Sequence, residues 1–134
     1  MSVRVLFTDL DGTLLNDAKE VTPGNQAAID ETLAKGHKIV VCTGRPLASA
    51  RACAAKAGLD KEGCYMICFN GAQIYDPYHE KTVYGKTFPR EIAVEIINEA
   101  LKRDLHIQGY NDTNILCVRE TEELKQYALI LPFL

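Results

Sequence analysis

Residues 3–15 read VRVLFTDLDGTLL, and the fold turns on this stretch. Val3, Val5, Leu6 and Phe7 are apolar and alternate poorly with polar residues. That pattern predicts a strand buried on both faces, as in a parallel sheet. Asp9 and Asp11 come where the strand should stop. In an open α/β sheet, ligands bind outside the carboxyl ends of the strands. Extended geometry continued through Asp11 would turn both carboxylates to one cleft, with Leu10 between them. Gly12 permits the sharp turn that must follow. Two such acids can help hold a hard cation such as Mg²⁺. They can also share a covalent phosphoryl transfer, one attacking phosphorus and the other moving the proton. A strand followed by an ordinary Asp-Gly turn is the alternative.

Composition narrows the class. The 134 residues suit one ordinary domain. With 47% hydrophobic and 25% charged residues the chain is globular rather than disordered. A net charge of -3 and a pI of 5.6 give no basic field. Nucleic acid is therefore not an expected partner, and any attraction for phosphate must be local. No apolar stretch approaches the roughly 20 residues of a spanning helix, so no membrane partner is expected. The opening run between Arg4 and Asp9 is too short for a signal peptide. The five cysteines, an odd number, suit reduced thiols and a cytoplasmic location. Cys64 and Cys68 lack the further ligands of a zinc site.

Read in order, the chain alternates strands and helices. Residues 16–21 are a polar surface turn. Thr22 and Pro23 open a helix as N-cap and first helical residue. Its apolar stripe is Ala28, Ile29 and Leu33, and Lys35-Gly36 closes it. Residues 37–42, HKIVVC, predict a second buried strand that runs into Thr43-Gly44-Arg45-Pro46. A hydroxyl, then a glycine, then a helix start can cradle an anion. A plain strand-to-helix turn is the other reading. The helix from Pro46 to about Ala57 turns Leu47, Ala50, Ala54 and Ala57 to the sheet. Residues 65–69, YMICF, are the third strand, followed by Asn70-Gly71-Ala72. Residues 73–75 and 81–88 predict an outer hairpin and a further strand, with an exposed His79 in the turn. A helix with Ile92, Ile96, Ile97, Ala100 and Leu101 on one face follows. Strands at 105–109 and 115–118 flank a polar turn with Tyr110, Asn111 and Asp112. A short helix at 121–129 and an apolar tail end the chain.

The string DLDGTLL resembles the first motif of the haloacid dehalogenase superfamily, DxDGT after a buried strand. CTGRP at the second strand end and NGA at the third are similar to its Cof-type branch, subfamily IIB. The resemblance implies an α/β fold: a partial Rossmann-like parallel sheet of the first three core strands over residues 1–83, then the start of an α+β cap over residues 84–134. It implies that Asp9 is the nucleophile and Asp11 the acid/base. Asp9 and the backbone carbonyl of Asp11 would hold Mg²⁺. Thr43 and Gly44 would bind the phosphoryl group, Asn70 would line the cleft, and Arg45 would serve substrate contact or structure. The substrate would be a small phosphorylated metabolite such as a sugar phosphate. A cap excludes water and selects the substrate.

The family pattern continues beyond this chain. Its later lysine and its GDxxxD-like acidic strand end both follow the cap, and no GD pair occurs here. Metal and cationic charge carry much of phosphoryl transfer, so weak turnover is expected. In the family the first strand is central; with the fourth and fifth strands missing it becomes an apolar edge. A homodimer or higher oligomer is expected to cover it. The alternative function is a catalytically inactive relative that forms an oligomer or only binds phosphate, and a phosphomutase is a third option within the same chemistry.

Overall fold

The computed structural model describes residues 2–111 and 113–130, Ile130 by its backbone alone. Asp112 of the expected turn and the expected tail at 131–134 lie outside the described residues. The chain divides into two compact units, Met1–Gly85 and Lys86–Leu134.

In the first unit β1 (Val5–Thr8), β2 (Lys38–Cys42) and β3 (Cys64–Cys68) run parallel. The crossovers are α1 (Pro23–Ala34) and α2 (Leu47–Lys56). β4 (Gln73–Asp76) and β5 (Lys81–Gly85) then add antiparallel strands. The sheet order is β1-β2-β3-β4-β5. This is the expected α/β, Rossmann-like core with its first three strands parallel.

Local chemistry sets the crossovers. The Thr22 hydroxyl accepts a hydrogen bond from the Asn25 amide and caps α1, with Pro23 in its first turn. Gly36 follows the helix in the left-handed conformation, φ 74°. Ile29 is the one buried residue of α1; Ala28, expected beside it, is exposed. In α2 the small side chains Ala50 and Ala54 are fully buried, which lets the helix lie close on the sheet. Ile39 and Val41 of β2 and Cys64, Met66 and Cys68 of β3 fill the core. Leu10, Leu14 and Leu15, from the loop after β1, join them.

β1 is the apolar edge expected from the missing later strands, and not the doubly buried strand its composition suggests. Val3, Val5, Leu6 and Phe7 are 62%, 49%, 51% and 61% exposed. The expected burial on both faces is not met, because among the described residues β1 is an edge with β2 as its one neighbour. An unbroken apolar run suits an inner parallel strand, and burying it takes cover on both faces.

The second unit holds α3 (Arg90–Lys102), the antiparallel pair β6 (Gln108–Tyr110) and β7 (Ile115–Cys117), and α4 (Glu122–Ile130). The strand expected at 81–88 ends at Gly85 and pairs with β4 in the first sheet. The second unit therefore runs helix, strand, strand, helix. None of its described side chains is buried. Phe88, Ile96, Ile97, Ile107, Leu116 and Val118 line an open apolar groove of about 440 Å³. No helix among the described residues is long and apolar enough to cross a membrane.

Candidate active site

The loop after β1 is built by the leucines between and behind the two acids. Extended geometry ends at Thr8 instead of continuing through Asp11. A tight turn follows, with the Leu14 amide on the Asp9 carbonyl (3.3 Å) and the Leu15 amide on the Leu10 carbonyl (2.9 Å). Leu10, Leu14 and Leu15 sink into the core and pin this turn. Gly12 takes φ 74° and has open space around it. The turn, not strand alternation, sets the positions of Asp9 and Asp11.

Asp9 is exposed at the sheet's carboxyl edge. One carboxylate oxygen accepts from the Leu10 amide at 2.7 Å. Its other oxygen meets no hydrogen-bond donor among the described residues. Thr8 is in register with Val41, so Asp9 follows β1 where Cys42 ends β2. Burial pushes the Cys42 thiol up, and the nearby charge of Asp9 adds to the shift.

Asp11 is held differently. Arg45 donates from Nε to Oδ2 at 2.7 Å and from a terminal nitrogen to Oδ1 at 2.8 Å. Lys19 Nζ donates to the same Oδ1 at 2.8 Å. The Arg45 hydrogen bonds hold the Asp11 carboxyl well below the usual carboxylate range. Partial burial opposes them and Lys19 adds to them. Arg45 is itself buried, and its other terminal nitrogen lies 3.1 Å from both Ser49 Oγ and Cys53 Sγ. Of the two places open to Arg45, contact with substrate or structure, its geometry is that of a clamp inside the protein.

The ends of β2 and β3 complete the arrangement. Thr43 is buried, and its hydroxyl accepts from the Arg45 amide at 3.2 Å. The Phe69 amide donates to the Arg45 carbonyl at 3.1 Å and the Asn70 amide to the Thr43 carbonyl at 3.4 Å. Asn70 is exposed with φ 54° and ψ 36°. A Cβ on Gly44 would stand 2.8 Å from the Asn70 side-chain oxygen, so glycine allows this approach. Thr43, Gly44, Arg45 and Asn70 thus meet in one loop pair, and Arg45 ties that pair to Asp11. Sequence reasoning missed Lys19, Ser49 and Cys53. Ser49 and Cys53 stand four apart on one face of α2, just after Arg45, which is a signal that could have found them. Nothing in the local sequence marks Lys19.

The same geometry bears on a metal. Both carboxylate oxygens of Asp11 are taken by cations, so its side chain is not an available ligand. The free oxygen of Asp9 and the Asp11 carbonyl remain. No group of three or more His, Cys, Asp or Glu that could hold a metal occurs among the described residues. One hard carboxylate and a carbonyl fit the loose mode of Mg²⁺, in which waters and substrate phosphate fill the other positions.

Known proteins resemble this chain in sequence and in fold. The chain is 39% identical to the YxeH protein of Bacillus subtilis over 112 residues, covering 84% of this chain and 42% of that protein. It is 32% identical to the pyridoxal phosphate phosphatase YbhA of Escherichia coli over 113 residues, covering 84% and 40%. A crystal structure of a haloacid dehalogenase-like hydrolase from Bacteroides thetaiotaomicron superposes with a TM-score of 0.85 at 22% identity. That match covers 98% of this chain and 50% of the other. The chain therefore spans about two fifths of the length of these two curated relatives. The family model of haloacid dehalogenase-like hydrolases matches residues 6–130, and the chain belongs to that family.

Proposed function

We propose that this chain carries the phosphoryl-accepting site of a Mg²⁺-dependent phosphatase for a small phosphorylated metabolite, such as a sugar phosphate. The observation that carries the reading is Asp9, exposed at the end of β1 with one carboxylate oxygen free. A relative named for pyridoxal phosphate supports the substrate class. Asp9 attacks phosphorus, the bond from phosphorus to the leaving oxygen breaks, and the leaving alkoxide takes a proton from Asp11, which the second step replaces. Thr43 and the Gly44 backbone steady the phosphoryl oxygens, and Asn70 borders the cleft. Water then attacks the aspartyl-phosphate, its proton passes to the Asp11 carboxylate, and phosphate leaves Asp9. Mg²⁺, when bound, neutralises charge on the phosphoryl oxygens. The clamp keeps Asp11 ionised, as the second step needs, while weakening it as a base. A leaving group that departs without a proton, such as p-nitrophenolate, makes no demand on Asp11 in the first.

With p-nitrophenyl phosphate and Mg²⁺, Asp9→Asn is expected to lower turnover about a thousandfold or more. Turnover that survives the substitution would defeat this reading. A second reading, phosphate binding without turnover, is favoured by the two cations on Asp11. It predicts a wild type that binds inorganic phosphate and does not release p-nitrophenol.

We also propose a cytoplasmic homodimer or higher oligomer. The five free cysteines support the location. The Lys38 amide bonds the Arg4 carbonyl, so Leu6 and Thr8 also direct their backbone groups to β2. Val5 and Phe7 then present theirs to the open edge. A two-fold axis through Leu6 would set Val5 against the partner's Phe7 and close both open edges.

A further inference from the structure

We propose that Lys19 is the cation that receives the phosphoryl group of the substrate and rests on Asp11 until one arrives. This rests on the phosphatase reading and adds to it a binding residue from another part of the chain.

The loop that carries Lys19 is closed on itself. The Asn16 amide bonds the Glu20 carbonyl, the Lys19 amide bonds the Asn16 carbonyl, and the Glu20 amide bonds Asn16 Oδ1, each at 2.9 Å. Leu15 and Val21 form an isolated antiparallel bridge at its base. Lys19 itself takes φ 60°, a conformation that residues with a Cβ seldom adopt. A closed turn with its tip residue so constrained aims one side chain, and here it aims an ammonium group at the mouth of the site.

Two cations meet one carboxylate there, and they are not equivalent. Arg45 is buried and bound at all three guanidinium nitrogens, so it is not placed to leave. Its paired hydrogen bonds already balance the charge of Asp11. Lys19 has a side chain 51% exposed and gives one hydrogen bond, to Asp11 Oδ1. Its other two N–H groups meet no acceptor among the described residues. No other exposed cation among the described residues pairs with Asp9 or Asp11. A phosphate monoester carries up to two negative charges and offers three oxygens, so it outbids a carboxylate that Arg45 already satisfies. The four-carbon stem of lysine lets the ammonium move without moving the turn.

The test uses the full 134-residue chain with Mg²⁺ and inorganic phosphate, followed by isothermal titration. Lys19→Met is expected to weaken phosphate binding about tenfold, and Lys19→Arg to restore most of it. With p-nitrophenyl phosphate the methionine variant should raise KM by a similar factor and leave kcat near the wild type, the mark of a lost binding contact. Equal phosphate affinity in wild type and Lys19→Met overturns the proposal and leaves the phosphatase reading standing. A change in kcat at constant phosphate affinity also overturns it, since Lys19 would then act only through Asp11. A wild type that binds no phosphate overturns both. Circular dichroism of each variant, with Lys19→Gln as a second neutral replacement, shows that any loss belongs to the site and not to the fold.

Discussion

Arg45 reaches Asp11 from inside the protein, and Lys19 reaches it from solvent. The inner contact bears on stability as well as chemistry. Replacing Arg45 by Gln removes two charge-assisted hydrogen bonds from Asp11 and leaves Ser49 and Cys53 without their guanidinium. The expected cost at neutral pH is about 1–3 kcal/mol, held down because Asp11 keeps some contact with water. The sign of the pH dependence follows from the Asp11 shift. Its folded-state pKa lies below the ordinary aspartate value of 3.8. The pair therefore stabilises the fold above that value and loses its contribution as the pH falls toward the folded-state value. Urea midpoints at pH 7 and pH 3 check this. Wild type should lead Arg45→Gln at pH 7, and the gap should narrow at pH 3. A gap that widens in acid would contradict the assignment.

Among the elements, β1 carries the largest conflict between composition and place. Its residues are those of a strand inside a parallel sheet, yet it stands at the edge with Val5, Leu6 and Phe7 about half exposed. Open apolar edges associate unless a charge, a bulge or a cover prevents it. Light scattering at micromolar concentration should give a mass above 14.9 kDa. Phe7→Lys, at a position whose backbone lies on the open edge, should shift the mass toward the monomer and leave the far-UV circular dichroism intact. A monodisperse wild-type monomer would remove the proposed oligomer. The loop after β1 shows how an edge strand can still present a precise site. Leu10, Leu14 and Leu15 anchor the loop in the core independently of what lies across the open edge.

The whole molecule is uneven in stability. The first unit has a buried core that runs from Leu10 to Tyr75. The second has no buried side chain among its described residues and an open apolar groove of about 440 Å³. A segment of some 49 residues without a closed core gains little from apolar burial, so it should open more readily. Limited trypsin digestion should therefore cut first within residues 86–134, and mass spectrometry should find a lasting fragment that ends near Lys86. First cuts within β2, α2 or β3 would contradict this order of stability.

The sequence by itself determined the features that depend on near neighbours. The buried strands at β2 and β3, the Thr22 cap, the alanine face of α2 and the acidic turn after β1 are each set by residues within about one helical turn or two strand positions. So are the three loops that carry Asp9, Thr43 and Asn70. Only the tertiary structure decided which groups from those loops meet. Arg45 and Asp11 are 34 positions apart, and nothing local says that the guanidinium would turn inward to Asp11, Ser49 and Cys53. Lys19 likewise acquires its meaning from a turn that folds back on the site. The exposure of β1 was also beyond a local reading of its burial. An apolar run reports what a strand is suited to, whereas exposure depends on neighbours brought in by distant parts of the chain.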